Sequence, residues 1–222
     1  MLNYLYRISE EQQKIIKVLG YEIEGFGKSY HVGQLKWANY DTNAVNFRKA
    51  FPQGYVEFAN SFMQLFNIPN DAEVCADVGC GPCGGVFSAR QWKIMYAIDP
   101  SWSDYDAKNL VKLPSDNCIK IIEDYAQTFK LPEKADIIFS INALNHCGNL
   151  EKSVENIMSN LKPNGLFFLH LEERSAKHLN RQHPIETSIL TVDNILNKYN
   201  VIKKSWQPHQ QFRNGVVATI RA

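Results

Sequence analysis

Glu73-Val74-Cys75-Ala76-Asp77-Val78-Gly79-Cys80-Gly81-Pro82-Cys83-Gly84-Gly85 is a short apolar run that breaks into a glycine-rich turn. The run through Val78 predicts a buried strand, and Gly84 or Gly85 leads toward a helix. Glycine at such a junction lets the backbone turn tightly and approach a ligand closely. Gly-x-Gly-x-x-Gly spacing alone is shared by dinucleotide enzymes and by chance loops. Asp77 separates these readings. A carboxylate just before the first glycine repels a pyrophosphate and suits a ligand with a cationic amino group. It argues against a nicotinamide oxidoreductase.

Downstream, short apolar runs alternate with longer amphipathic ones. Strands are expected at 73–78, 93–98, 118–122, 135–141, 165–171, 201–206 and 216–220. Leu150–Leu161 is expected as a helix, with Val154, Ile157, Met158 and Leu161 at helical spacing. Near-continuous apolar strands interleaved with helices imply a parallel sheet covered on both faces. The last two strands flank a short polar segment holding Asn214-Gly215, which suggests a closing antiparallel strand. The fold expected is α/β: one Rossmann-like domain over 71–222, its seven-stranded sheet mostly parallel. Residues 1–70 form a helical extension in this reading. Ser9 and Gln12 fit a capping box, Ile15, Ile16 and Leu19 make an apolar stripe, and Gly20 is a stop. A second helix is expected over 56–66, ending near Pro69.

Two further acids follow the glycine loop. The second strand ends at Asp99, suited to accept ribose hydroxyls, and the third runs into Glu123-Asp124-Tyr125. Strand carboxyl ends line the ligand crevice of an open α/β sheet, so acids at three successive strands point to one site.

With these residues the chain resembles the class I S-adenosylmethionine-dependent methyltransferases over roughly Ala72 to Leu171. Asp77-Val78-Gly79-Cys80-Gly81, with Gly84, is similar to the family's first motif, which holds the methionine part of the cofactor. The resemblance implies that Asp99 binds the ribose, that Asp124 bonds the adenine amino group and that the Tyr125 backbone faces the adenine ring. Asp136-Ile137-Ile138-Phe139-Ser140-Ile141-Asn142 resembles the fourth motif and adds Asn142 to the cofactor site. Leu161-Lys162-Pro163-Asn164-Gly165 resembles the turn into the fifth strand. Pro82-Cys83 departs from the pattern, where many members have one residue fewer or a small residue.

Cys80-Gly81-Pro82-Cys83 also spells the thioredoxin active-site tetrapeptide. Two cysteines so spaced can form a disulfide, and a helix N-terminus lowers a thiol pKa. Gly79 stands where thioredoxins usually have tryptophan, and the downstream acids would lack a role. Small apolar packing is the alternative for both thiols. No second Cys/His pair has zinc-site spacing, so no metal is expected.

Ser140-Ile141-Asn142-Ala143-Leu144-Asn145-His146 follows the fourth strand, beside the expected methyl. Displacement at a sulfonium relies on proximity and orientation, and a hydroxyl or protonated amine also needs a base. His146 titrates near neutrality and is the candidate base; shaping the pocket is its other role. The Asn142/His146 spacing resembles the Asp/His pair of phosphoethanolamine methyltransferases, with Asn in place of Asp. His170, Arg174, His178, Arg181 and His183 lie toward the acceptor end, where arginine suits an anionic acceptor such as a phosphate, nucleotide sugar or carboxylate. The alternative is a solvated helix paired with Glu172 and Glu173. Trp37 and Tyr40 belong to an aromatic stretch that either covers the site or forms a small second core.

The 222 residues carry a formal net charge of +1, which supports no large nucleic-acid footprint. No apolar run approaches the roughly 20 residues that span a bilayer, and an odd count of five cysteines argues against a secreted disulfide framework. A cytoplasmic methyltransferase acting on a small molecule, probed at oxygen first, is expected. A catalytically silent cofactor-binding subunit is the non-enzyme alternative. The sequence leaves the oligomeric state open.

Overall fold

The computed structural model describes residues 18–20, 22–23, 63–64, 67–81, 86, 91–103, 118–174, 179, 184–207 and 215–222. Its strands are β1 (Glu22–Ile23), β2 (Val74–Val78), β3 (Ile94–Ile98), β4 (Ile119–Ile122), β5 (Ala135–Ile141), β6 (Leu161–Glu172), β7 (Asn200–Gln207) and β8 (Gly215–Arg221). They form one sheet in the order β1-β7-β8-β6-β5-β2-β3-β4. The pairs β3/β4, β2/β3, β2/β5 and β5/β6 are parallel. β8 is antiparallel to both β6 and β7 and sits between them. All seven expected strands are present, and the antiparallel strand is inserted within the sheet rather than placed at its edge.

The apolar runs are nearly continuous because each strand face meets its own core. Val74, Ala76, Val78, Ile98, Ile138, Phe167 and Leu169 belong to one cluster. It includes Val154 and Ile157 of α1 (Leu150–Ser159) and Val192 and Leu196 of α2 (Ile189–Leu196). Cys75, Met95, Ala97, Ile137, Phe139 and Phe168 alternate with these residues and face a second cluster containing Trp92 and Trp102. Phe139 stacks on Phe168 with ring centroids 5.7 Å apart.

Asn149 starts α1 by accepting from the Lys152 N–H at 2.9 Å. The expected end at Leu161 is two residues too late. Asn160 is the C-cap, its side-chain oxygen taken by the Leu131 N–H at 2.9 Å, and Leu161 already pairs with Ala135 in the sheet. β6 also extends further than expected at both ends, starting at Leu161 and reaching Glu172. The expected helices at 9–19 and 56–66 lie almost wholly outside the described residues. Within the first 70 residues, Glu22–Ile23 joins the sheet in parallel with Ser205 and Trp206 of β7. Because β7 and β6 both run antiparallel to β8, β1 points the same way as β2–β6. Among the described residues no helix is long and apolar enough to cross a membrane.

Candidate functional site

The carboxyl ends of β2, β3, β4, β5 and β6 share one edge of the sheet, and of the expected site residues Asp77, Gly79, Gly81, Asp99, Asp124, Tyr125, Asn142, His146 and His170 lie at or just beyond these strand ends. β2 turns out at Gly79, whose N–H donates to Ile98 O at 2.8 Å, tying the turn to the end of β3. Gly79 has φ +72°, and a Cβ there would lie 2.3 Å from the Cβ of Ala143. Only glycine permits that approach between the β2 and β5 exits. Gly81 has φ +58°, but a Cβ there would meet nothing within 4 Å. Among the described residues the space beyond Gly81 is therefore open.

Asp99 closes the loop from the opposite side. Its Oδ2 accepts the Gly81 N–H at 2.9 Å and its Oδ1 the Ser101 N–H at 3.0 Å. Asp99 is 6% exposed. The Ser101 contact was legible in Asp99-Pro100-Ser101, since Asp bonds the backbone two residues on. Asp77 is 3% exposed, and no donor among the described residues bonds its carboxylate. Burial, reinforced by the nearby charge of Asp99, pushes its pKa up to about 8. An isolated buried carboxyl beside an open glycine turn has the chemistry to receive an ammonium group.

Asp124 follows β4. Its Oδ1 accepts the Tyr125 N–H and the Thr128 hydroxyl, both at 2.7 Å. Those bonds fix a short turn and leave Oδ2 for another partner. The Tyr125 side chain is exposed. Glu123 accepts from the Ser103 N–H at 3.2 Å and from its hydroxyl, linking the β4 exit to the segment after β3.

Beyond β5, Asn142 adopts φ +52°, a conformation that Asn tolerates better than most residues. Its N–H donates to His170 O at 2.9 Å, while its Oδ1 is buried without a hydrogen-bond partner among the described residues. The chain then makes a 3₁₀ turn, Leu144–His146. Leu144 and Asn145 are buried in it and His146, its last residue, is exposed.

His170 and Arg174 are both buried. The His170 imidazole packs against Gly215, with Nε2 only 3.1 Å from where a Cβ there would stand. Arg174 is 7% exposed, and its guanidinium donates to Glu172 Oε2 at 2.6 Å. The pairing with Glu172 is the one the solvated-helix alternative named, but Glu172 is a strand residue and Arg174 is buried. Glu173 instead accepts from Trp206 Nε1 at 3.3 Å, beside the pairing of Trp206 with Ile23. Trp37, Tyr40, Gly84, His178, Arg181 and His183 lie outside the described residues, as does Cys83.

The Cys80 thiol is pushed well above its ordinary pKa by burial and by the charges of Asp77 and Asp99. A redox cysteine needs its thiolate favoured, so these surroundings oppose the thioredoxin-like reading.

Residues 76–169 match a family model described as a methyltransferase domain. Ubiquinone biosynthesis O-methyltransferase from Rickettsia akari (strain Hartford) is 25% identical over 104 residues. The match spans 46% of this chain and 41% of that protein, so the chain spans well under half the length of this curated relative. Among solved structures, N-methyltransferase NodS from Bradyrhizobium japonicum WM9, in complex with S-adenosylhomocysteine, aligns with a TM-score of 0.58 at 16% identity. That alignment covers 88% of this chain and 98% of NodS. The 1,6-didemethyltoxoflavin-N1-methyltransferase of Burkholderia thailandensis aligns with a TM-score of 0.54 at 15% identity, covering 87% and 83% of the two chains. These structural likenesses establish the shared fold.

Proposed function

We propose that this chain, whose residues 76–169 match a methyltransferase-domain model, is a class I S-adenosylmethionine-dependent methyltransferase that transfers a methyl group from S-adenosylmethionine to a small acceptor, at oxygen. The observation that carries this reading is the loop at the β2 exit. There, buried Asp77 has no donor among the described residues, Gly79 and Gly81 keep the backbone bare, and Asp99 bonds Gly81. An ammonium group would complete Asp77, and ribose hydroxyls would donate to Asp99. Asp124 Oδ2 would take the adenine amino group, with the Tyr125 backbone against the ring. Gly84 and Asn142 would complete the donor side. When bound, S-adenosylmethionine supplies a methyl group on a cationic sulfur.

The chain's own catalytic contribution is to align the acceptor and remove its proton. Exposed His146, just past β5, accepts the hydroxyl proton on an imidazole nitrogen. His170, Arg174, His178, Arg181 and His183, with Trp37 and Tyr40, are proposed to shape and charge the acceptor end. Support for Trp37 and Tyr40 comes from β1, whose carboxyl end reaches this edge. Oxygen as the methylated atom is supported by the name of the Rickettsia relative. Cytoplasmic localisation belongs to the same proposal.

S-adenosylhomocysteine should raise the melting temperature, because it binds the folded state selectively. Equal or greater stabilisation by NAD, with none by S-adenosylhomocysteine, would overturn the assignment. Once an acceptor is identified, His146→Ala should slow the chemical step by about 10²–10⁴-fold while leaving that thermal shift intact. Near-wild-type turnover with chemistry rate-limiting would remove His146 as the base.

A further inference from the structure

We propose that Asp77 holds a proton in the ligand-free protein and releases it when a ligand bearing an α-ammonium group binds, so that donor affinity is coupled to pH. This inference rests on the donor-binding reading above and adds a proton to it.

The argument begins with two carboxyl groups enclosed together. Asp77, within β2, and Asp99, at the end of β3, are 3% and 6% exposed. Asp77 is in parallel register with Ala97, and Asp99 follows in the chain immediately after Ile98. Two such groups in a low-dielectric enclosure resist simultaneous ionisation, and local hydrogen bonds decide which one carries the charge. Here the two environments are unequal. Asp99 receives N–H donors on both oxygens, from Gly81 and Ser101. Among the described residues none reaches the carboxylate of Asp77. Negative charge therefore settles on Asp99, and Asp77 remains a neutral acid.

Among the described residues the surrounding elements place no cation beside Asp77. Among the described residues of the loop the titratable neighbour is the Cys80 thiol, which is driven toward its neutral form by burial first and by the adjacent acids second. From β5, the residue in register with Asp77 is Phe139, followed by Ser140, whose hydroxyl donates to Val78 O at 2.9 Å. From β3, the charge acting on Asp77 is that of Asp99. Among the described residues no cation offsets the pair. The upward displacement of the Asp77 pKa to about 8 agrees with this arrangement.

An arriving ammonium changes the balance. The carboxyl O–H of Asp77 breaks, its proton leaves to buffer, and the resulting carboxylate accepts an N–H from the ammonium. One buried neutral acid becomes one charge-paired, hydrogen-bonded carboxylate. Near neutrality, binding should therefore release close to one proton. Between about pH 6 and 8, affinity for an ammonium-bearing ligand should rise by up to about tenfold per pH unit.

The test is calorimetric titration of the full chain with S-adenosylhomocysteine at pH 7, in two buffers of different ionisation enthalpy. Wild type should release nearly one proton per ligand, and Asp77→Asn should release almost none. Should Asp77→Asn bind too weakly for titration, infrared difference spectra provide the second measurement. The carbonyl stretch of a protonated carboxylic acid should be present in the ligand-free wild type, vanish on ligand addition and be absent from ligand-free Asp77→Asn. Binding without proton release, or the same release from Asp77→Asn, would overturn the coupling while leaving the donor assignment standing. Absence of any binding by wild type would instead overturn the donor assignment, and the coupling with it.

Discussion

Gly79 and Gly81 share a left-handed backbone, yet their surroundings differ in a way that separates their roles. An alanine at either position carries about 1–2 kcal/mol of backbone strain. At Gly79 the new methyl would also overlap the Ala143 Cβ, 2.3 Å away, forcing the β2 and β5 exits apart. At Gly81 it would enter open space. Urea unfolding should therefore show Gly79→Ala losing roughly 1–3 kcal/mol more than Gly81→Ala. Gly81→Ala should chiefly weaken donor binding; equal losses of stability would contradict the packing argument. Asp77 adds a pH signature. Its folded pKa, about 8, lies above the ordinary 3.8, so its stabilising contribution is complete below about pH 4 and is lost as pH rises toward 8. The melting temperature of ligand-free Asp77→Asn relative to wild type should climb between pH 5 and 8 and then level off. A flat difference would show that Asp77 is not a buried acid. Asp77, Gly79, Gly81 and Asp99 were legible because one short segment and the next strand end spell them. The contact of Gly79 with Ala143 was not, since it depends on β2 and β5 being neighbours. Arg174 shows the same limit: its sequence could not decide between an acceptor and Glu172 as its partner.

At the scale of elements, α2 and β7 are joined by a buried ion pair. Lys204 Nζ lies 2.6 Å from Asp193 Oδ1, with side chains 18% and 5% exposed, and Asp193 Oδ2 accepts from Asn197 Nδ2 at 3.0 Å. Lys204→Met would take the cation from the buried Asp193 carboxylate, which keeps its bond from Asn197, and should destabilise by about 1–3 kcal/mol. The double variant Asp193→Leu with Lys204→Met should recover much of that loss, because no buried charge is left behind. Thermal melts of both variants check this, and a double variant as unstable as the single would contradict it. Strand positions were readable because strands buried on both faces are apolar at consecutive positions. α2 was not anticipated. Ile189-Leu190-Thr191-Val192-Asp193-Asn194-Ile195-Leu196 is short and rich in β-branched residues, and its start rests on Ser188, which accepts from the Thr191 N–H at 3.4 Å. The end of α1 was misjudged because Leu161 fits the helical spacing equally well as the first residue of β6.

For the molecule as a whole, strand order turns separate sequence signals into one site. β5 and β3 flank β2, so Asn142, Gly79 and Asp99, though distant in sequence, share one edge of the sheet. β8, inserted between β6 and β7, keeps β7 and β1 parallel to β2 and brings the end of β1 to the same edge of the sheet. None of this order is written in local periodicity; it follows from how the faces of the sheet are covered. The central claim is that this edge binds a methyl donor through Asp99. Its most direct test is a binding titration of S-adenosylhomocysteine against wild type and Asp99→Ala, with folding verified for both. One ligand should bind per wild-type chain, and Asp99→Ala should weaken it by roughly 1.5–3 kcal/mol through loss of charge-assisted hydrogen bonds. No saturable binding to wild type, or equal affinity in the two proteins, would contradict the account.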